Sequence, residues 1–241
     1  MIEIQQLSKR YGDFQALDKC SAYFVSGEVV AVIGPNAAGK TTLIKCILGM
    51  VRPDKGQILF ENQVIGTDWR YRKKIGYMPQ ITRFPENLTI AALFELMLDL
   101  REITDKNALD WSLYEAFALD AIENKLLRTL SGGTRQKVSA ALAFLFQPIV
   151  LFLDEPTAGL DPIAADIFLT RIEKAKTEGK LTIITSHLMN EVEKLADRAM
   201  YLQDGQIQFF ATPENLRQTS GETDLMRAIA WQLRSNDEIQ R

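Results

Sequence analysis

The chain has 241 residues, of which 46% are hydrophobic and 24% are charged, as in an ordinary globular protein. Its 28 basic and 31 acidic residues give a net charge of −3, which argues against a strongly basic nucleic-acid-binding domain. The longest uncharged run, between Lys137 and Asp154, is shorter than the roughly 18–20 residues that span a bilayer. Two cysteines, Cys20 and Cys46, are too few for a disulfide framework, and we expect both to be buried. We therefore expect a soluble, cytoplasmic chain.

Strands and turns fill the first part of the chain, around one helix. Alternating or continuous apolar residues predict strands at 2–7, 16–24, 29–33, 57–60 and 75–78. The strand at 29–33 is predicted to be fully buried, because apolar and β-branched residues fill it. Gly34 ends that strand, and helical spacing runs from Gly39 to Met50.

The pattern changes between 88 and 128. Amphipathic helices are predicted at 88–100, with Asn87 as the cap, and at 107–119. Further helices are predicted at 131–146, 161–178 and 188–196, and strands at 149–153, 181–185, 199–202 and 206–210. Strands that alternate with helices favour a parallel sheet with crossover helices, so we expect an α/β domain with a helical insertion. An amphipathic helix at the C-terminal end is expected to pack on its own domain or to dock on a second copy or a partner.

The segment from Gly34 to Thr41 matches the pattern G-x-x-x-x-G-K-[ST] and lies between a predicted buried strand and a predicted helix. Backbone N–H groups of such a loop point at a phosphate, and the helix N-terminus adds a partial positive charge. Lys40 is predicted to reach the β- and γ-phosphates, and the Thr41 hydroxyl to bind Mg²⁺. The predicted phosphate-binding residues are Gly34, Pro35, Asn36, Ala37, Ala38, Gly39, Lys40, Thr41 and Thr42.

Two carboxylates, Asp154 and Glu155, follow the apolar strand at 149–153. Open α/β sheets bind ligands at the carboxyl ends of their strands, which is where these acids emerge. Asp154 is predicted to hold Mg²⁺ through water, and Glu155 to polarise a water for attack on the γ-phosphate. Together with the phosphate loop, they predict a P-loop NTPase.

The segment from Leu130 to Gln136 reads LSGGTRQ and resembles the LSGGxxQ signature of the nucleotide-binding subunits of ABC transporters. The resemblance implies an α/β fold, with a P-loop NTPase core of the ABC ATPase type, an antiparallel β-subdomain and an α-helical subdomain inserted at about 86–130. It implies an ATP-binding domain over 1–219 and a C-terminal helix and tail over 220–241. Residues Ser131, Gly132, Gly133 and Gln136 would face the γ-phosphate held by a second copy, and Ser131 would also cap the following helix.

Four further residues match motifs of the same family. Tyr11 in KRYGDFQAL matches the aromatic residue that stacks on adenine, and Gln80 in IGYMPQ the glutamine that senses the metal and the attacking water. Asp161 in EPTAGLDP matches a loop that crosses to the opposite subunit, and it would cap a helix as well. His187 matches the histidine that contacts the γ-phosphate. The predicted catalytic residues are therefore Glu155, His187 and Gln80, and the predicted metal ligands are Thr41, Gln80 and Asp154.

The chain departs from the family pattern at two positions. Ala37 stands where glycine is common in the phosphate loop, and Lys137 follows the signature glutamine where arginine is common. Contact at position 37 is made by the backbone, so alanine is tolerated there if its φ is negative. Neither change removes a predicted ligand, so both sites of a homodimer should be competent.

The resemblance implies an ATPase that uses ATP and Mg²⁺ and powers a membrane transporter. The expected partners are a separate integral-membrane permease, a second copy of the chain, and accessory or periplasmic subunits, which places the chain at the cytoplasmic face of the cell membrane. The sequences of its motifs resemble those of exporter-type subunits that pair with ABC-2 permeases. They also resemble those of the ATPase of the system that matures the copper site of nitrous oxide reductase.

A soluble ABC-type ATPase that acts on DNA or ribosomes is the alternative function. The spacing between Lys40 and Ser131 leaves no room for the long coiled coil of the DNA-repair relatives, and the chain has a single ATPase domain. With its acidic charge, no nucleic-acid partner is expected. A non-hydrolysing scaffold is disfavoured, because Glu155 and His187 are both present.

Overall fold

The computed structural model describes residues 1–66 and 68–239, with side chains up to 236. In chain order the elements are β1 (Ile2–Tyr11), β2 (Phe14–Phe24), β3 (Val29–Ile33), α1 (Lys40–Ile47), β4 (Lys55–Phe60), β5 (Gln63–Val64), β6 (Ile75–Met78), α2 (Ile90–Leu100), α3 (Ser112–Ala116), α4 (Gly132–Leu145), β7 (Val150–Asp154), α5 (Pro162–Thr177), β8 (Leu181–Thr185), α6 (Met189–Leu195), β9 (Arg198–Gln203), β10 (Gln206–Ala211), α7 (Pro213–Ser220) and α8 (Leu225–Ile239).

Two compact units make up the chain. One comprises Met1–Tyr71 and Ile183–Arg241, and the other Arg72–Thr182, so that the boundary falls within β8. In the part of the chain that the structure describes, no helix combines the length and apolar character needed to cross a bilayer.

The first unit contains an antiparallel sheet with the strand order β2-β1-β4-β5, which confirms the predicted antiparallel β-subdomain. Ile2, Ile4 and Leu7 of β1 are buried, as the alternation predicts. In the same unit, the wholly buried β3 pairs in parallel with β9, which pairs in antiparallel with β10. These strands hold the segment after β3 in place at the edge of a buried sheet.

The C-terminal helices α7 and α8 belong to the first unit and pack against each other. Leu225, Ala228 and Ile229 of α8 are buried, so the C-terminal helix does pack on its own domain. Helix α7 is absent from the sequence prediction. Its start has a clear local signal, because Thr212 caps it and Pro213 occupies its first turn.

The second unit contains β6 and β7, which run in parallel, with Ile75 opposite Val150 and Met78 opposite Leu153. Helix α4 packs against β6, and its Phe144 makes an edge-on ring contact with Phe168 of α5. Both strands therefore end at the same edge of the unit.

Two helix predictions in the second unit are wrong. Helix α2 begins at Ile90 rather than 88, and Thr89 is its cap instead of Asn87, because the Thr89 hydroxyl accepts a hydrogen bond from the N–H of Ala92 at 3.1 Å. The helix expected over 107–119 is reduced to α3. Its N-terminal side is broken because the N–H of Asp110 donates to the carbonyl of Leu145 at 2.8 Å, and its C-terminal side because Ala118 has a φ of +50°.

Candidate functional site

The phosphate loop after β3 needs glycine at two positions. Gly34 has a φ of +144°, and a Cβ there would lie 2.0 Å from the carbonyl oxygen of Leu202. Gly39 has a φ of +105°, and a Cβ there would lie 2.3 Å from the carbonyl oxygen of Ala16. Any side chain at either position would force the loop off the strands beneath it, so these glycines fix its path.

The loop leads directly into α1, whose first residue is Lys40. The Lys40 ammonium donates to the carbonyl oxygens of Gly34 at 2.6 Å and Pro35 at 2.8 Å, which holds it over the start of the loop. Thr41 follows in the first turn and is exposed. The first turn of α1 contains no acidic side chain, so the partial positive charge of the helix N-terminus is not neutralised there. This arrangement suits a phosphate group.

Ala37 lies in the left-handed region, with a φ of +62°. The condition on which alanine was expected to be tolerated, a negative φ, is therefore not met. A left-handed alanine costs roughly 1–2 kcal/mol relative to a right-handed one. The loop carries this strain at a position where glycine would carry none.

Tyr11 and Phe14 oppose each other at the tip of the β1–β2 hairpin, in the same unit as the phosphate loop. Their exposed fractions are 48% and 53%, so the hairpin presents two aromatic rings to the surface. A role was predicted from the sequence for Tyr11 but not for Phe14. Its signal is the second aromatic residue in KRYGDFQAL, on the other side of the turn.

His187 follows β8 in the first unit and is exposed. The turn that carries it is fixed by its neighbour Ser186, whose buried hydroxyl donates to the carboxylate of Glu191 at 2.9 Å and accepts from the N–H of Leu188 at 3.0 Å. The imidazole therefore projects from a backbone that α6 holds in place.

In the second unit, Gln80 and Glu155 lie just past the ends of the parallel strands β6 and β7, and Asp154 is the last residue of β7. Asp154 is buried at the end of β7, and Glu155 follows it with a φ of +52°. Burial, together with the negative charge of Asp154, raises the pKa of Tyr77 above its ordinary value. The unit thus brings the predicted amide and both carboxylates to one edge of its sheet.

The signature segment begins α4. The Ser131 hydroxyl accepts a hydrogen bond from the N–H of Thr134 at 3.2 Å, which confirms the predicted helix cap. Gly133 lies against the loop that precedes α5, since a Cβ on it would be 2.6 Å from the carbonyl oxygen of Gly159. Only glycine allows this approach.

Asp161 caps α5, as predicted: its Oδ1 accepts from the N–H of Ala164 at 2.9 Å. Its Oδ2 accepts from the Lys137 ammonium at 2.8 Å. The hydrogen bonds that Asp161 accepts, from Lys137 first and also from the N–H of Ala164, hold its pKa below the ordinary value. Lys137, noted above only as a departure from arginine, thus joins α4 to the Asp161 loop.

Gln136 is buried, and its Oε1 accepts from the hydroxyl of Thr82 at 3.1 Å. Thr82 lies in the loop that follows Gln80, so this contact is made within the same unit. The part of Gln136 in nucleotide binding stays a prediction. Thr82 carries no motif signal in the sequence and was missed.

Each unit by itself gathers part of the predicted site. The first holds Tyr11, the phosphate loop and His187, and the second holds Gln80, Ser131, Gly132, Gly133, Gln136, Asp154, Glu155 and Asp161. Among the described residues, no group of three or more His, Cys, Asp or Glu side chains is placed to hold a metal ion. The predicted metal ligands, Thr41, Gln80 and Asp154, instead offer a hydroxyl, an amide and a carboxylate oxygen, a donor set that suits Mg²⁺.

The family model described as ABC transporter matches residues 17–158, more than half of the chain. The chain belongs to the ABC transporter family. A second match, over residues 124–193, is to a model described as an AAA domain, putative AbiEii toxin, Type IV TA system. The signature resemblance is therefore confirmed at the level of the family.

Curated relatives differ greatly in length. The chain is 33% identical to the phospholipid-transporting ATPase ABCA3 of Homo sapiens over 93% of its own length, but it spans only 14% of that protein. It is 36% identical to the glutamate/aspartate import ATP-binding protein GltL of Escherichia coli, over 86% of this chain and 89% of that one. It is 34% identical to the lantibiotic transport ATP-binding protein SrtF of Streptococcus pyogenes, with the same two coverages of 86% and 89%.

Solved structures agree on the fold. An ATP-binding subunit of an ABC transporter superimposes with a TM-score of 0.89 at 27% identity, over 96% of this chain and 99% of that one. A dimeric ATP-binding cassette in a post-hydrolysis state, with ADP and Pi, superimposes with a TM-score of 0.75 at 24% identity over 88% of this chain. The predicted P-loop NTPase core of the ABC ATPase type is confirmed.

Proposed function

We propose that the chain binds ATP with Mg²⁺ and hydrolyses it to power a membrane transporter. The observation that carries the proposal is the phosphate loop. Its two obligatory glycines set the loop path, so that Lys40 lies at the N-terminus of α1, directly after the loop. Lys40 exchanges the carbonyl oxygens of its own loop for phosphate oxygens when ATP binds, and Tyr11 stacks on the adenine.

Hydrolysis is assigned to the residues at the strand ends. Glu155 orients and polarises the attacking water, His187 contacts the γ-phosphate, and Gln80 senses the water and the metal. Thr41, Gln80 and Asp154 would hold Mg²⁺, Asp154 through water. When bound, the ion neutralises charge on the phosphates.

A second copy of the chain completes the site in this proposal. Ser131 and the backbone of Gly132 and Gly133 close on the γ-phosphate held by Lys40 of the other copy. Support comes from the capped and exposed start of α4, whose N–H groups suit an anion, and from the dimeric form of one structural relative. ATP is therefore expected to bind the dimer more tightly than a single copy and in that way to promote dimerisation.

The permease partner is assigned to a groove of about 430 Å³ in the second unit. Its walls are the loop after Gln80, helix α2 and helix α4, and its lining is mainly apolar. Leu96 of α2 and Ile81 of the loop are exposed at 39% and 71%. An amphipathic cytoplasmic helix of the permease fits such a surface, which would place the chain at the cytoplasmic face of the membrane. Accessory or periplasmic subunits would be further members of the same transporter.

The cargo proposal rests on the resemblance of short sequence motifs and on the names of relatives. We infer an exporter-type subunit that pairs with an ABC-2 permease, or the ATPase of the nitrous oxide reductase maturation system, on the resemblance of the motifs around Lys40 and Gln80. Relatives named for lantibiotic transport and Nod factor export support the first, and one named for glutamate/aspartate import shows that the family serves both directions. Purification of the tagged chain from native membranes, followed by identification of the co-purified permease, tests these assignments. Recovery with ribosomes or DNA instead would favour the soluble alternative.

The dimer is tested with Glu155→Gln, which slows water activation but leaves the phosphate contacts in place. Light scattering should find a monomer without nucleotide, a dimer with ATP and Mg²⁺, and no dimer with ADP. An ATP that binds the dimer about 100-fold more tightly than the monomer stabilises the dimer by roughly 2.7 kcal/mol at saturation.

The added change Ser131→Arg places a bulky side chain at the start of α4 and should return this variant to a monomer. A Glu155→Gln chain that binds ATP stoichiometrically and stays monomeric would contradict the two-copy site.

A further inference from the structure

The turn that carries His187 is followed at once by α6, a helix of only seven residues. A helix so short is not stable by itself, so contacts with the rest of the first unit must hold it in place. Val192 and Leu195 are buried and provide the apolar part of these contacts. Apolar burial is not directional, so the polar contacts of α6 decide the orientation in which it is held.

Polar contacts hold α6 at both ends. Near its start, the buried carboxylate of Glu191 accepts from the Ser186 hydroxyl at 2.9 Å. Past its end, Asp197 makes two hydrogen bonds with Val29, the first residue of β3: its N–H donates to the Val29 carbonyl at 2.8 Å, and its Oδ2 accepts from the Val29 N–H at 2.9 Å. Helix α6 therefore joins the strand that precedes the phosphate loop to the turn of His187.

A third polar contact comes from the C-terminal helices. Arg217 of α7 donates through Nη2 to Oε1 of Glu193, in the middle of α6. Through Nε it donates to the carbonyl oxygen of Thr223 at 2.9 Å, in the loop between α7 and α8. The neighbouring Leu216 is buried and anchors α7 to the first unit. One guanidinium thus ties α6 to both segments of the C-terminal region.

The ion pair is better suited to set the orientation of α6 than to stabilise the fold. The side chains of Arg217 and Glu193 are 35% and 38% exposed, and ion pairs with such exposure add little to stability. A rotation of α6 that this pair prevents would carry the imidazole of His187 with it, because the turn and the helix are joined through Ser186 and Glu191.

We propose that Arg217 is a positioning residue for His187: it fixes the orientation of α6 from the C-terminal helices and thereby the place of the imidazole. The proposal rests on the proposed function for the part of His187 in hydrolysis. The contacts themselves lie within the first unit and need no nucleotide. Tyr11 and Lys40 belong to other segments, so Arg217 acts on the hydrolytic step and leaves ATP binding unchanged.

The single histidine of the chain makes His187 its own reporter. In an untagged chain with ¹³C-labelled histidine and no nucleotide, a proton–carbon NMR spectrum contains one imidazole C2–H signal. Arg217→Gln should shift this signal by more than its linewidth, and Glu193→Gln should shift it in the same direction. Arg217→Lys keeps the charge and the ion pair, so it should leave the signal near its native position.

Arg227→Gln is the matched control. Arg227 is an exposed arginine of α8, so this variant removes the same charge from the same C-terminal region without touching the contact with α6. The histidine signal and the turnover of Arg227→Gln should both equal those of the native chain.

ATP turnover provides the second measurement. Arg217→Gln should lower kcat about fivefold, the equivalent of about 1 kcal/mol, while KM for ATP stays within about twofold of the native value. Its Tm should fall by less than about 4 °C, since an exposed ion pair contributes at most about 1 kcal/mol. Arg217→Lys should restore most of kcat, which a general loss of structure would not explain.

An unchanged histidine signal in Arg217→Gln, or an equal shift in Arg227→Gln, would overturn the proposal. So would a native kcat in Arg217→Gln when His187→Ala is impaired. The variant His187→Ala separates this proposal from the proposed function. Near-native turnover of His187→Ala would refute the part of His187 in hydrolysis, whereas the NMR comparison needs no ATP and tests the contact with Arg217 by itself.

Discussion

Ala37 offers a direct test of how the phosphate loop is strained. Its φ of +62° is a conformation that costs alanine roughly 1–2 kcal/mol and glycine almost nothing. Ala37→Gly removes that cost, but it also raises the conformational entropy of the unfolded chain, which offsets the gain by roughly 0.4–1 kcal/mol. We therefore expect a net stabilisation of about 0.5–1 kcal/mol, equivalent to a rise of about 1–4 °C in Tm for a chain of this size.

The neighbouring residue supplies a matched control. Ala38 lies outside the left-handed region and is only 3% exposed. Ala38→Gly relieves no strain. It removes a buried methyl group and raises the conformational entropy of the unfolded chain, so it should destabilise the protein by about 1.5 kcal/mol.

Thermal and urea unfolding of both variants without nucleotide measure the two effects. Opposite signs at adjacent alanines are the expected result. A destabilised Ala37→Gly, or the same sign for both variants, would refute the assignment of strain to position 37.

Three further predictions follow from the site and its support. Lys40→Ala should lower ATP turnover by at least ~100-fold, because hydrogen bonds to charged groups contribute about 1.5–3 kcal/mol each and the lysine makes more than one. Near-native turnover of this variant, in a preparation free of other ATPases, would contradict the assignment of Lys40. Asp110→Asn should destabilise by about 2 kcal/mol, since it weakens the partly buried pair of Asp110 with Arg171 at 2.6 Å but leaves Glu178 as a second partner of the guanidinium at 3.2 Å. Burial alone would raise the pKa of Asp110, but hydrogen bonds from Ser112 and Arg171 outweigh it and lower that pKa. The contribution of Asp110 is therefore complete above pH ~4 and disappears as the pH falls through the folded-state pKa. In urea unfolding from pH 7 to 2, the difference in stability between the native chain and the variant should be full at pH 7 and vanish at pH 2. Cysteines placed between 81 and 95 should cross-link to cytoplasmic loops of the permease, and cross-links found only near α8 would place the partner on another face.

The sequence sufficed to predict the phosphate loop and two of the helix caps. The phosphate loop could be predicted because its glycines, its strand and its helix are adjacent in the chain, and the caps at Ser131 and Asp161 because a side chain there bonds to an N–H three residues on. The conformation of Ala37 could not be predicted, since its φ depends on the path that Gly34 and Gly39 impose.

Long-range partners explain two of the errors. The helix expected over 107–119 is interrupted because Asp110 bonds to Leu145 and Arg171, which the local periodicity does not reveal. The hydrogen bond between Thr82 and Gln136 joins residues far apart in the chain, so the local sequence around either residue does not predict it. Local patterns predict elements, but they do not predict which elements are tied together.

Ser131 illustrates why a cap residue is not freely exchangeable at the start of α4. Its oxygen accepts from the N–H of Thr134 at 3.2 Å and lies 2.8 Å from the Thr134 hydroxyl, which can donate to it. A hydroxyl oxygen has two lone pairs and one proton, so both contacts can be made with the proton left over. Aspartate caps a helix equally well but brings negative charge and no proton. Serine, unlike aspartate, accepts both hydrogen bonds at the start of α4 and keeps one proton, which would serve an anion in the proposed two-copy site.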